Sequence, residues 1–325
     1  MTTATRPTED LLTLQCMEVW GGNEANDSRV SLSGLDAWVF SRPFAGEAHG
    51  GDVHYVSSCA SGRISRLLVA DVSGHGEAVA AIAVGLRTLL RRYVNHIDQT
   101  RFVESMNEAL SRTFADGGFA TSVISTYFGP TRTLSVSNAG HPPPLWYRAK
   151  TGVWQALTFE AFGRPADAET DATGDGGVRD LPLGIVGPTR YTRVDVRIDP
   201  MDLVVFYTDS LIEAADHDGR QIGVDGLLEL VRGLEDGDPD ALIPALLARV
   251  DVHREGRDAG DDVTVLLIRP NGRKPVRPLI DRLLLPWHMG KAFVASLRPG
   301  GPPMPWPEFS LAAMGGFFSD RLSRR

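Results

Sequence analysis

Cysteine is nearly absent from this sequence. Only Cys16 and Cys59 occur, and neither sits in a Cys-x-x-Cys pair. That excludes a disulfide framework and fits free thiols in a reducing compartment. Long apolar runs are missing too: no window approaches the roughly 18 apolar residues of a membrane span. The start, "MTTATRPTEDLLTLQCMEVW", has no basic region followed by an apolar stretch, so it does not read as a signal peptide. The expected location is therefore cytoplasmic. A basic excess is also lacking. The formal net charge is -8, which argues against a general nucleic-acid binder. No internal repeat is visible. What is present is ordinary globular material: 325 residues, 42% hydrophobic and 23% charged, enough for one large domain or two small ones.

Segments at 36–40, 53–59, 65–72, 121–128, 133–137, 192–198, 202–207 and 263–269 alternate or run apolar in the manner of strands. Stretches 78–94, 101–114, 224–234 and 241–254 read as helices, the first with Arg87, Arg91 and Arg92 toward its end, where cations suit the helix dipole. Short turns between paired strands favour antiparallel sheet over repeated βαβ winding. Residues 160–177 show little periodicity and read as a surface excursion. Composition changes near residue 270. The segment 270–325 is rich in Pro, Gly and aromatics and holds nine Lys/Arg against three Asp/Glu. Its +6 leaves -14 for the rest, so that the two sum to -8. The organisation expected is an extension at 1–30, a domain at 31–269 and a basic tail at 270–325. The tail reads either as a poorly ordered end or as a segment that docks to a partner or an anionic membrane surface.

Acidic residues border several of the apolar strands. Asp52 follows Gly50-Gly51 and precedes "VHYVSSC"; Asp71 ends "SRLLVA"; Asp209 follows "DLVVFYT"; Asp261 and Asp262 precede "VTVLLI". Capping explains each singly, as an N-cap or Asx turn at Asp71, a turn cap at Asp209, or a surface pair at 261–262. Jointly they are harder to explain that way. An ionised carboxylate beside a core is costly unless paired, and no cation lies in "GGDVHYV", "VADVSGHG" or "FYTDSL". An all-oxygen set suits Mg²⁺ or Mn²⁺. Successive side chains on an extended chain point to opposite faces, so Asp261 and Asp262 cannot both be ligands in the same way.

Six segments in order, "GGDVHYV", "LLVADVSGHGEAVA", "SNAGHPPPLWY", "LPLGI", "VVFYTDSLIEA" and "DDVTVLLI", resemble the motif set of the SpoIIE/RsbU-type phosphatases, a bacterial branch of the metal-dependent PPM serine/threonine phosphatases. The resemblance spans about 35–269. It implies an α+β fold, a four-layer αββα sandwich of two antiparallel sheets flanked by helices. It also implies two Mn²⁺ or Mg²⁺ ions held by Asp52, Asp71, the main-chain carbonyl of Val72, Asp209 and Asp261. Asp262 is then a supporting residue. Ser210 stands where many members have glycine, and it is small enough to leave Asp209 free. No arginine near the N-terminus maps onto the phosphate-holding arginine of the eukaryotic relatives. His75, Asn138 and His141 lie on turns of the motif set and read either as proton donors or substrate contacts, or as braces of the loops. Gly74, Gly76 and Gly140 permit tight turns.

The reaction so implied is metal-assisted hydrolysis of phosphoserine or phosphothreonine on a protein, with a STAS-domain antagonist of a partner-switching pathway as the expected substrate. About 30 residues at the N-terminus are too few for a sensor domain. Regulation would then come from a partner protein, from the tail, or from the helix after "SGHG". Two other readings stand beside this one: a catalytically inactive pseudophosphatase that serves as an interaction module, and a different metal hydrolase using His75 and His141 as ligands.

Overall fold

The computed structural model describes residues 12–14, 18–59, 62–73, 77–93, 96, 98–113, 118–163, 178–234, 238–257 and 259–273. Most of the excursion expected at 160–177, almost all of the basic tail, and His75 with its flanking Gly74 and Gly76 lie outside them. Among the described residues thirteen strands run in chain order: β1 Leu12–Thr13, β2 Val19–Gly22, β3 Asn26–Leu32, β4 Leu35–Arg42, β5 Asp52–Cys59, β6 Ile64–Val72, β7 Ala120–Phe128, β8 Thr133–Ala139, β9 Leu145–Arg148, β10 Val153–Ala156, β11 Val194–Arg197, β12 Leu203–Tyr207 and β13 Val263–Pro270. The helices are α1 Glu77–Tyr93, α2 Gln99–Thr113, the short α3 Phe159–Phe162, α4 Gly223–Val231 and α5 Pro239–His253.

The strands form two sheets. The first is ordered β1-β3-β4-β13-β12-β9-β10 and the second β11-β8-β7-β6-β5-β2. Among the named strands all pairings are antiparallel except the two-residue contact of β1 with β3. A core of Val39, Val56, Val69, Val123, Phe206 and Leu266 fills the space between the sheets. Outside the second sheet lie α1 and α2, which bury Val79, Ile82, Ala83 and Leu86, and Phe102, Val103, Met106 and Leu110. These spacings of three and four place the apolar residues on one helix face. Outside the first sheet, α5 buries Leu242, Ile243, Leu246 and Val250. Asp238 caps that helix, its side chain accepting from Asp240 N, and Pro239 takes the first turn, where no intrahelical donor is needed. The αββα expectation therefore holds.

Every strand and helix expected from periodicity is present, with boundaries shifted by a few residues. Periodicity did not reveal β1, β2, β3, β9 and β10. They are short, or polar at one end as in "NDSRVSL"; β3–β4 and β9–β10 are local hairpins, whereas β2 pairs with β5 and β9 with β12 across longer separations. Residues 19–30, assigned to an extension, supply β2 and most of β3, so the sheets begin before residue 31. At the other end, the Asn271 side chain still donates to Leu32 O and Asp36 Oδ1.

Candidate metal centre at the end of the sandwich

The inner faces of the strands change character along their length. On β13 the residues facing the other sheet run Ile268, Leu266, Thr264 and then Asp262, which immediately precedes the strand; on β12 they run Val204, Phe206 and then Thr208, which immediately follows it. On β5 the order is Val56, His54, Asp52, and on β6 it is Leu67, Val69, Asp71. Period-two alternation thus carries an apolar core into hydroxyls and then acids at one end of the sandwich. Asp52 and Asp71 are direct cross-strand partners in the β5–β6 pair, and Asp71 faces Thr121 in the β6–β7 pair. Asp209 opens a single 3-10 turn just after β12, and Asp261 and Asp262 lead into β13. Asp52, Asp71, Asp209, Asp261 and Asp262 therefore gather at one end, and they feel one another's charge.

Their environments differ. Asp52 is 4% exposed and accepts a 2.7 Å hydrogen bond from Thr208 Oγ1, whose oxygen in turn accepts from Thr264 N at 3.0 Å. This chain joins the two sheets. Burial raises the Asp52 pKa well above the ordinary carboxylate range, the Thr208 bond opposes that, and the Asp71 charge adds to it. Asp71 is half-buried. Its pKa is pushed up to about 6 by burial and then by Asp209, Asp261, Asp262 and Glu213. Asp209 is raised by burial and by Asp261. Among the described residues, none of these acids has a lysine or arginine within ion-pairing distance.

Asp262 has a different function. Only 8% exposed, it accepts from Phe44 N at 2.6 Å, from Gly51 N, and from Asp52 N at 3.2 Å. Its carboxylate is spent on folding the 44–52 turn onto β13, which holds Asp52 in place. Gly50 is required for that approach: a Cβ there would lie 2.5 Å from Asp262 Oδ2. Asp261 is exposed, with Oδ1 accepting only from Asp262 N at 2.8 Å, so it keeps free oxygen lone pairs.

A divalent cation fits this donor set. The site offers carboxylates and a carbonyl and no thiolate. A Cβ at Gly51 would lie 3.2 Å from Val72 O, 3.5 Å from Asp71 Oδ1 and 3.5 Å from Asp262 Oδ2, so the absent side chain leaves a point ringed by oxygens. Among the described residues, no three His, Cys, Asp or Glu side chains are already close enough together to hold an ion. The fit lies in the donors and their field, not in a closed shell of ligands.

His141 is a brace. It is buried, Nε2 donates to Tyr207 O at 3.1 Å, and Nδ1 accepts from Thr121 Oγ1 at 2.9 Å. The carbonyl can only accept, which fixes the tautomer. The ring links the end of β12 to β7, one strand on each sheet. Burial lowers its pKa to about 4, so it is neutral. With both nitrogens engaged, it has none left for a metal, and the hydrolase reading loses one of its two histidines. Asn138 braces the same loop: Nδ2 donates to His141 O at 2.6 Å and Oδ1 accepts from His141 N at 2.7 Å. Ser210 is buried and its carbonyl accepts from Arg254 Nη2 at 2.8 Å.

Sequence reasoning passed over three residues of this region. Thr208 and Arg254 gave no local signal, since their partners are 156 and 44 positions away. Glu213 had one: it lies four residues after Asp209, its N–H donates to Asp209 O at 2.8 Å, and its pKa is raised by burial and by Asp209 and Asp261.

Comparison with known proteins agrees with this fold. The family model of stage II sporulation protein E, SpoIIE, matches residues 61–163 and 166–271. No curated protein sequence matches. Among solved structures, the RsbU and RsbW domains of Rv1364c from Mycobacterium tuberculosis align at 22% identity and a TM-score of 0.56, over 82% of this chain and 73% of that one. The phosphatase domain and a regulatory fragment of SpoIIE from Bacillus subtilis align at 17% identity and a TM-score of 0.57, over 78% and 70%. RsbX, solved in complex with magnesium, aligns at 14% identity and a TM-score of 0.53, over 76% and 100%.

Proposed function

The chain belongs to the SpoIIE family, and on that premise we propose that it is a phosphoserine/phosphothreonine protein phosphatase dependent on two Mn²⁺ or Mg²⁺ ions. The observation that carries this reading is the gathering of Asp52, Asp71, Asp209 and Asp261 at one end of the sandwich with no basic partner among the described residues. These four, with the Val72 carbonyl, would hold the ions. The structure solved with magnesium on a like fold supports the choice of cation. When bound, such cations supply the Lewis acidity that makes water nucleophilic at neutral pH and offsets phosphate charge. The carboxylates act as holders and not as nucleophiles. Thr208 orients Asp52 from the opposite sheet. Asp262 fixes the turn that presents Asp52, and His141 anchors the strand end that presents Asp209. Neutral and doubly hydrogen-bonded, His141 is not the proton donor to the leaving alcohol.

The phosphoprotein substrate in this reading is a STAS-domain antagonist of a partner-switching pathway. Support comes from the motif resemblance and from the mycobacterial likeness, in which an RsbU domain accompanies an RsbW domain. Among the described residues no helix is long and apolar enough to cross a membrane. The test is hydrolysis of p-nitrophenyl phosphate and of a phosphoserine protein with Mn²⁺, with EDTA, and by the Asp209→Ala variant. Activity that needs Mn²⁺ and vanishes in the variant is expected. Full metal-dependent turnover by Asp209→Ala would refute the site, and a wild type with no turnover under any metal would favour the pseudophosphatase.

A further inference from the structure

Two recesses flank the turn that carries Asp209. One, of about 300 Å³, is walled by Ser210, Glu213, Arg254, Arg257, Gly260 and Asp261 among others. It mixes both charges, includes Asp261, and belongs to the metal end already described. The other, of about 280 Å³, lies between the outer face of the first sheet and α5. None of the proposed metal ligands lines it.

This second recess has an apolar floor and a basic rim. Alternation along β4 sends Trp38, Phe40 and Arg42 to the outer face, and Trp38 and Phe40 join the cluster that holds α5. Leu211, Val250 and Val263, each at most 1% exposed, make the floor, with half-buried Phe40 and Leu247 beside them. Two cations meet above it. Arg42 is exposed and stands 5.8 Å from the centre of the Phe40 ring. Among the described residues its side chain has neither an ion-pair nor a hydrogen-bond partner. Arg254 is only 5% exposed. Its Nη2 donates to Ser210 O at 2.8 Å, and its Nη1 lies 3.7 Å from Asp251 Oδ1, too far for a hydrogen bond. Burial lowers the Arg254 pKa, Asp251 opposes that, and the Arg42 charge lowers it further. The lining thus sets Arg42 and Arg254 against the single carboxylate of Asp251, a net charge of +1. A buried guanidinium that faces a second cation is relieved by an anion.

We propose that this recess binds a small organic monocarboxylate. Its apolar body rests on Leu211, Val250 and Val263, and its carboxylate accepts from Arg42 at the rim beside Arg254. The guanidinium fork matches two carboxylate oxygens. The apolar floor favours a ligand with a hydrocarbon body over an inorganic anion. One negative charge balances the lining, and a phosphate dianion exceeds it. The site stands independently of the phosphatase reading, since it uses none of the acids assigned to metal. Its floor includes Leu211, which closes the turn opened by Asp209, so the occupant lies behind that acid.

The experiment uses the whole chain with Mg²⁺ and an NMR saturation-transfer titration. The probe is 3-phenylpropionate, set against its neutral isostere 3-phenylpropanamide and against 3-phenylpropylammonium. The carboxylate is expected to bind with a Kd on the order of 1 mM, the amide about fivefold more weakly, and the ammonium not at all. Arg42→Gln should bring the carboxylate down to the amide and leave the amide unchanged. Ala248→Phe fills the recess from α5 without a change of charge and should abolish binding of both. Equal binding of carboxylate and amide overturns the proposal, as does binding of the ammonium. So does absence of carboxylate binding at about tenfold the expected Kd. Full carboxylate binding that survives in either variant also overturns it, because a carboxylate held at the metal ions would behave that way. If Ala248→Phe does not fold, the carboxylate-to-amide ratio in Arg42→Gln decides.

Discussion

Asp261 and Asp262 are adjacent and chemically identical, yet their removal should have opposite effects. Asp262→Ala takes away the acceptor for Phe44 N, Gly51 N and Asp52 N. Phe44 is exposed and Gly51 half-buried, so water replaces the carboxylate there. Asp52 N is buried and loses its acceptor outright. A buried donor left unmade costs roughly 1–3 kcal/mol, and a bond to a charged acceptor is worth about 1.5–3 kcal/mol. Relief of repulsion with Asp52 and Asp71 offsets part of this. A net loss of about 2–3 kcal/mol is expected, read as a lowered urea midpoint with an unchanged slope in EDTA-treated protein. Mn²⁺ affinity should fall by about tenfold or more, as it does when a residue that orients a ligand is lost. Asp261→Ala removes an exposed acid that crowds Asp209 and Asp71. It should leave the urea midpoint unchanged or slightly raised while abolishing Mn²⁺-dependent hydrolysis. If Asp261→Ala unfolds as readily as Asp262→Ala, or Asp262→Ala keeps full stability and Mn²⁺ affinity, the division of labour argued here is wrong.

Gly50→Ala should reproduce the Asp262→Ala loss of Mn²⁺ affinity, since its Cβ would displace the Asp262 carboxylate; isothermal titration measures it. His54 and His141 both have pKa values lowered to about 4 by burial, so over the window from 6.5 down to 4 the unfolded chain binds more protons than the folded one. Their contribution to stability is therefore lost as pH falls through that window, by about 1.4 kcal/mol per pH unit for each residue. Asp71 acts in the opposite sense: its raised pKa of about 6 makes the folded state bind the extra proton above 3.8, so its contribution falls as pH rises toward 6. Urea titrations of metal-free protein across this range should show a steeper fall with acid in Asp71→Asn than in wild type. Millimolar Mn²⁺ should raise the melting temperature more at pH 7.5 than at pH 5.5, because protons compete for the same carboxylates. A melting temperature indifferent to Mn²⁺ at both pH values would contradict the metal site.

Much of the site was legible because strand periodicity and acid placement are local. Each of Asp52, Asp71, Asp209 and Asp261 could be seen at the border of an apolar run with no cation nearby. Alternation on an extended chain also separated Asp261 from Asp262 in principle. Assigning the roles took the fold: Asp262 reaches donors more than two hundred positions away, at 44, 51 and 52. His141 illustrates the same limit. Between Asn138 and a run of prolines it reads equally as an acid or a brace, until the two sheets supply Thr121 and Tyr207 as its partners. The strands β1, β2, β3, β9 and β10, at or next to the sheet edges, escaped notice because a short or half-polar strand owes its existence to the neighbour it pairs with.

The sequence by itself carried the antiparallel strands and an oxygen-rich set of candidate acids, which follow from hydrophobic period and from the cost of an unpaired carboxylate beside a core. The αββα sandwich and the proposed ligand set were implied by the resemblance of its six motifs. Only the tertiary structure showed that Asp262 is taken up by main-chain donors while Asp261 is left open, that Thr208 ties Asp52 across the sheets, and that Arg254, Arg257 and Glu213 line a common cleft. Those assignments depend on distances between residues far apart in the chain, and a hydrogen bond is made or lost within a few tenths of an ångström.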